Sequence, residues 1–241
     1  MTILAILQAR MSSRRMPGKV MTDLTGEPMI WRQIERIRRA SRIDQLVVAT
    51  SVEASDDELA RFLVSRGVSV FRGDLDDVLG RFAAAAEPWA PSHVVRLTAD
   101  CPLADPAVIE AAIELALHTG AAYTSNGERR TYPKGLDVEV VLAKALFEAA
   151  REAKDPYERE HVTPFIRRRP ERFPHAHLVE AFNLSHLRWT VDQAEDLAFV
   201  REVYAALYAS QPAFDMFDVL QLIDRRPDIA DLEDEAIAAA A

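Results

Sequence analysis

The chain has 241 residues, 49% of them hydrophobic, which is enough to bury a full core in one domain and excludes a disordered or collagen-like polymer. Its formal net charge of -9 excludes a sequence-independent hold on nucleic acid, which needs a basic stripe to displace counterions. One cysteine, Cys101, allows no internal disulfide, and no apolar run approaches the ~20 residues that cross a bilayer, so a cytoplasmic protein without nucleic-acid or membrane partners is expected.

The run Ile3 to Leu7 is short and almost purely apolar, as expected of a strand buried on both faces of a parallel sheet. It leads into Gln8-Ala9-Arg10-Met11-Ser12-Ser13-Arg14-Arg15-Met16-Pro17-Gly18-Lys19, where four cations and two hydroxyls surround a Pro-Gly turn. Arginine forks, a lysine point charge, serine hydroxyls and loop N–H groups are what a triphosphate needs. The loop has neither the Walker A order nor GxGxxG, so neither of those phosphate motifs applies. The plain alternative is a solvated basic loop. Its place after the first strand, where α/β sheets receive phosphates, favours a site.

Ile30, Ile34 and Ile37 then repeat at helical spacing, Gln45 to Thr50 reads as a second strand, and Leu59, Phe62 and Leu63 as another helix face. Phe71-Arg72-Gly73-Asp74 ends a strand and enters a helix carrying Val78, Leu79 and Phe82, with Asp76 or Asp77 as its cap. The third buried strand, His93 to Thr98, is followed by Asp100, Cys101 and Pro102. An acid there points into the cleft beyond the strand ends and suits Mg²⁺ held mainly by a nucleotide. Cys101 is no nucleophile, because the neighbouring acid raises a thiol pKa. Asp105-Pro106 supplies the cap and first turn of a helix with the stripe Ile109, Ile113, Leu117.

After Gly120 the alternation stops. An alternating strand is expected over Leu136 to Leu142, with helices over Ala143 to Arg151 and Tyr157 to Arg168. A final βα unit follows, Leu187 to Val191 leading into a helix over Ala194 to Tyr208, and a last helix runs near Phe217 to Arg225. Asp192 and Glu195 at that junction match an acidic N-cap with its capping-box partner. The whole predicts one domain over 1–241, with an insert over 131–182. The apolar positions Val138, Val140 and Leu142 have no obvious helix to cover them, which makes the insert a candidate homodimer surface.

The stretch from Ile6 to Val20 resembles the opening signature of the cytidylyltransferases that activate acidic sugars, and most closely their branch named for spore-coat polysaccharide biosynthesis. The resemblance implies a Rossmann-like nucleotidyltransferase fold, a mixed but mainly parallel sheet with helices on both faces. It implies CTP as donor, a small acidic sugar or related hydroxy-acid as acceptor, and Mg²⁺. It gives nucleotide-binding roles to Gln8, Arg10, Ser12, Ser13, Arg15 and Lys19, with Arg14 standing where a small hydroxyl residue is usual. Arg72, Gly73 and Arg81 fall in the base and ribose region. Asp192 joins Asp100 as metal ligand, with Asp196 behind it. Lys134, Arg159 and His161 fall around the acceptor pocket and the subunit contact of a homodimer, although Arg159 and His161 equally suit a solvated ion-pair surface. The alternatives are a glycosyltransferase using a nucleotide-diphosphate sugar and a nucleotide-binding scaffold without catalysis.

Overall fold

The computed structural model describes residues 1–240. Nine strands are labelled β1 (Ile3–Gln8), β2 (Asp23–Leu24), β3 (Glu27–Pro28), β4 (Gln45–Ser51), β5 (Ser69–Gly73), β6 (His93–Thr98), β7 (Tyr123–Ser125), β8 (Glu139–Leu142) and β9 (His175–His177). The α-helices are α1 (Met29–Ile37), α2 (Asp57–Ser65), α3 (Val78–Ala86), α4 (Pro106–Thr119), α5 (Ala143–Glu152), α6 (Pro156–His161), α7 (Pro164–Arg167), α8 (Ala194–Leu207), α9 (Met216–Arg225) and α10 (Pro227–Ala239).

Seven strands form one sheet in the order β5-β4-β1-β6-β8-β7-β9, and only β8 runs against the others. The central strand β1 shows why the apolar runs are continuous. Ile3, Ala5 and Leu7 enter one core with α1, α2, α4 and α8, while Leu4 and Ile6 enter a second with α3 and α5. Both faces are covered, so no polar residue alternates in. This is a Rossmann-like α/β architecture, a mainly parallel sheet with helices on both faces, and it sets the carboxyl ends of β1, β4 and β6 along one rim.

The first half of the chain follows its expected elements closely. Asp105 caps α4 by accepting from the N–H groups of Ala107 and Val108, and Asp77 caps α3 by accepting from Gly80. The second half departs in three places. The Leu136 to Leu142 run pairs only from Glu139, and β8 lies between β6 and β7 with Val140 and Val141 buried. That strand is not uncovered, which removes the reason first given for a dimer. The helix expected over Tyr157 to Arg168 is broken into α6 and α7. Pro164 has no N–H to continue the helical hydrogen-bond ladder, and it starts α7 at the first-turn position where none is needed. Val162 turns the chain at φ 70° and ψ -59°, with the Thr163 N–H donating to the His161 carbonyl at 2.8 Å. Finally, Leu187 to Val191 is no sheet strand. It makes one isolated parallel bridge, Lys134 to Arg188, because this segment runs beside the Lys134 loop instead of entering the sheet.

Candidate active site

The loop after β1 is tied down by an acid that the sequence gave no reason to single out. Asp56, fully buried, accepts from the Met11 N–H at 2.7 Å and from the Ser51 N–H at 3.1 Å and hydroxyl. Burial would raise its pKa, but the donated bonds, led by Met11, hold it below the usual carboxylate value. Gly18 N–H to Met11 carbonyl, 2.8 Å, closes the loop on itself. Its cations therefore face the strand ends.

Two adjoining cavities open on that rim. The first, about 320 Å³, is lined by Gln8, Arg10, Ser13, Arg14, Arg15 and Lys19 together with Thr98, Asp100 and Asp192. The second, about 380 Å³, shares Thr98, Asp100 and Asp192 and adds Arg96, Arg130, Lys134, Arg167, Glu128, Asp137 and Glu139. The two acids thus stand in the common wall.

Lys19, almost fully buried, is the pivot between them. Its Nζ donates to the Val191 carbonyl at 2.7 Å and to Asp192 Oδ1 at 3.1 Å, and lies 4.0 Å from Asp100 Oδ2. Asp192 also meets Arg15 at 3.0 Å and Arg188 at 3.3 Å. Burial pushes this carboxyl up, but Lys19 first, then Arg15 and Arg188, hold it below its ordinary value. It is ionised at neutral pH.

The capping-box expectation for Asp192 and Glu195 is corrected here: the cap is Gln193 with Asp196 as its partner. Asp196 accepts from the N–H groups of Asp192 (2.7 Å) and Gln193 (3.1 Å) and takes the Arg188 fork at 2.8 and 3.0 Å. Asp192 is released from capping and faces the cavities. Asp100 is less engaged, with a 3.4 Å contact from the Cys101 thiol. Burial, then Asp100, pushes that thiol well above its ordinary pKa, so it stays protonated.

Among the described residues no group of three or more His, Cys, Asp or Glu is arranged to hold a metal. The chemistry of the donor set still fits Mg²⁺, which takes one or two carboxylates and completes its shell with phosphate oxygens and water. Asp100 has the freer carboxylate of the two.

In the second cavity Glu139, its side chain 12% exposed, is a hub that pairs with Arg96 and accepts from the Tyr123 hydroxyl and, at 2.7 Å, from Thr163. Burial would raise its pKa, but Arg96 and the hydroxyls of Tyr123 and Thr163 together keep it lowered. Arg96 also reaches Gln8 Oε1 at 3.3 Å, linking the two cavities. Arg130 pairs with Asp137 and Arg167 with Glu128. Lys134 is the cavity's one cation without a carboxylate within 4.0 Å among the described residues.

Several expected residues reach neither cavity. Ser12 is exposed on the loop. Arg72 is spent on the Ser51 and Glu53 carbonyls (2.8 and 3.0 Å) and on Asp57 (2.7 Å). Arg81 is buried against the Asp74 and Leu75 carbonyls, and Gly73 packs against its side chain. Arg159 staples α6 to α3 and α5 through Asp77 (2.6 Å) and the Ala150 and Ala153 carbonyls (both 3.0 Å). His161 is exposed and stacks edge-on against Tyr157. In contrast Arg96 and Glu139 line the second cavity, a pairing visible only once β6 and β8 are in register, and Arg188 braces Asp192 and Asp196 from the segment before them.

A family model described as cytidylyltransferase matches residues 4–212. The chain belongs to the cytidylyltransferase family. It is 34% identical over 235 residues to the spore coat polysaccharide biosynthesis protein SpsF of Bacillus subtilis, covering 95% of this chain and 96% of that one. A solved cytidylyltransferase from Leptospira borgpetersenii superposes with a TM-score of 0.89 at 29% identity, covering 95% and 96%. The fold is also that of CMP:2-keto-3-deoxy-manno-octonic acid synthetase complexed with CTP (TM-score 0.64, 15% identity, 85% and 99%). No helix among the described residues of this cytidylyltransferase is long and apolar enough to cross a membrane.

Proposed function

We propose that this cytidylyltransferase transfers CMP from CTP to a hydroxyl of a small acidic sugar or related hydroxy-acid and releases pyrophosphate. The observation that carries this reading is the pair of cavities divided by Asp100 and Asp192: the first is lined by four cations, Arg10, Arg14, Arg15 and Lys19, of which Arg15 and Lys19 share the single carboxylate Asp192 at close range, and the second by charges mostly paired one to one. A triphosphate fits the first, its β- and γ-phosphates facing Arg10, Arg15 and Lys19. The acceptor fits the second, its carboxylate toward Lys134.

The acceptor oxygen bonds to the α-phosphorus as the bond to the oxygen bridging the α- and β-phosphates breaks, the hydroxyl proton leaves to solvent, and the loop cations offset charge on the departing pyrophosphate. The chain's part is positioning and electrostatics, without a covalent enzyme intermediate. Mg²⁺, held by Asp100 and Asp192, supplies further charge on the phosphate oxygens when bound. A pyrophosphate-release assay over the four nucleoside triphosphates and a panel of acidic sugars tests the reading. Release is expected with CTP and one acceptor class, and release that ignores the acceptor, or its absence throughout, refutes it.

A homodimer through 131–182 is part of the proposal. Its support is now the exposed Tyr157, Val179 and Phe182 in this segment. Light scattering is expected to give twice the 27.0 kDa of one chain, and a monomer mass would refute the dimer.

A further inference from the structure

The C-terminal helix α10 lies beyond the stretch the family model matches, and its inward stripe is Ile229, Glu233 and Ala236. An acid at a core position of an amphipathic helix is costly unless something holds it there. Glu233 is 3% exposed, and burial raises its carboxyl to about 7. Its Oε1 accepts from the indole N–H of Trp189 at 2.7 Å and from the backbone N–H of Arg188 at 3.2 Å. Trp189 is wholly buried, and its backbone N–H donates to the Lys134 carbonyl at 2.6 Å. The links continue from there: the Arg188 fork holds Asp196, Asp196 accepts from the N–H groups of Asp192 and Gln193, and Arg188 itself reaches Asp192.

We propose that Glu233 is a positioning residue: through Trp189 and Arg188 it fixes the turn that presents Asp192 to the two cavities. This rests on the reading of Asp192 as an active-site acid. The acceptor oxygen, not the charge, is what the two donors require, so glutamine can serve and leucine cannot.

The test compares Glu233→Gln with Glu233→Leu in the full chain, by hydrogen exchange over 188–196 and by steady-state kinetics with CTP and Mg²⁺. Outer-shell supports of a metal ligand typically contribute about 10- to 100-fold to activity or metal affinity. Glu233→Leu is expected to lower kcat on that scale and to raise KM for CTP as well, because Lys19 and Arg15 are paired with the Asp192 whose turn is loosened. Exchange at 188–196 should be at least about tenfold faster. Glu233→Gln is expected to restore both. A folded Glu233→Leu protein with unchanged exchange, or with faster exchange and wild-type kcat, overturns the proposal. So does a Glu233→Gln variant as impaired as Glu233→Leu. Exchange needs no turnover, so it judges the latch even if the proposed reaction is wrong. Should Glu233→Leu fail to fold, Trp189→Phe removes the stronger donor and is read in the same way.

Discussion

Asp100→Asn is expected to lower nucleotidyl transfer by about 10²–10³-fold in kcat, the scale on which preorganised charge at a transition state acts. The side chain is 30% exposed, and among the described residues no backbone N–H donates to its carboxylate, so the fold has little need of its charge. Asparagine keeps the shape and removes the charge. Single-turnover rates with saturating CTP and Mg²⁺ decide it, beside a thermal melt expected to stay near the parent's. A wild-type rate would take Asp100 out of the reaction. Asp192 is a poorer choice for this experiment, because three cations are balanced on it and its replacement would disturb Lys19, Arg15 and Arg188 together.

The largest effect on stability is expected from Gly135→Ala. Gly135 has φ 113°, and a Cβ there would lie 2.5 Å from the Trp189 carbonyl carbon, 2.6 Å from the Thr190 nitrogen and 2.7 Å from the Trp189 oxygen. All three are backbone atoms of the segment that carries Asp192, and they cannot rotate away. The backbones are held this close by Lys134 N–H to Leu187 carbonyl at 3.0 Å and by the Trp189 N–H bond to Lys134. A loss above about 4 kcal/mol is expected, the range reached when strain and overpacking combine at one site. Gly26→Ala is the control, since Gly26 also has positive φ, 82°, but nothing lies within 4 Å of its Cβ position. It should cost only about 1–2 kcal/mol, the left-handed backbone penalty alone. Urea denaturation of both separates the contact from the conformation, and equal losses would contradict it.

What the sequence makes legible follows from what is local. β1, β4 and β6 read clearly because double-sided burial leaves an unbroken apolar run, and the start of α4 because Asp105-Pro106 is a complete signal. The three-residue strands β7 and β9, Tyr-Thr-Ser and His-Ala-His, are too short and polar to show a period, and they pair only because β8 and the end of the sheet are already there. The site divides in the same way. The loop cations are adjacent in the chain and can be read as a cluster. The Arg96–Glu139 pair joins residues 43 positions apart, and Asp56 reaches Met11 across 45. Arg159 shows the converse, a cation that reads as ligand-binding until Asp77, 82 residues away, is found holding it.

Thr98, Asp100 and Asp192 belong to both cavities, and this has a consequence for how occupancy of the two is measured. A polyanion in the first cavity compensates the same cations that now balance Asp192, and so changes the potential felt in the second. Ligands that share residues in this way are thermodynamically linked, and the linkage is reciprocal: whatever factor the first adds to the affinity of the second, the second adds to the first. A dissociation constant taken with one cavity empty therefore belongs to a differently charged surface from the one that meets the partner ligand in the ternary complex.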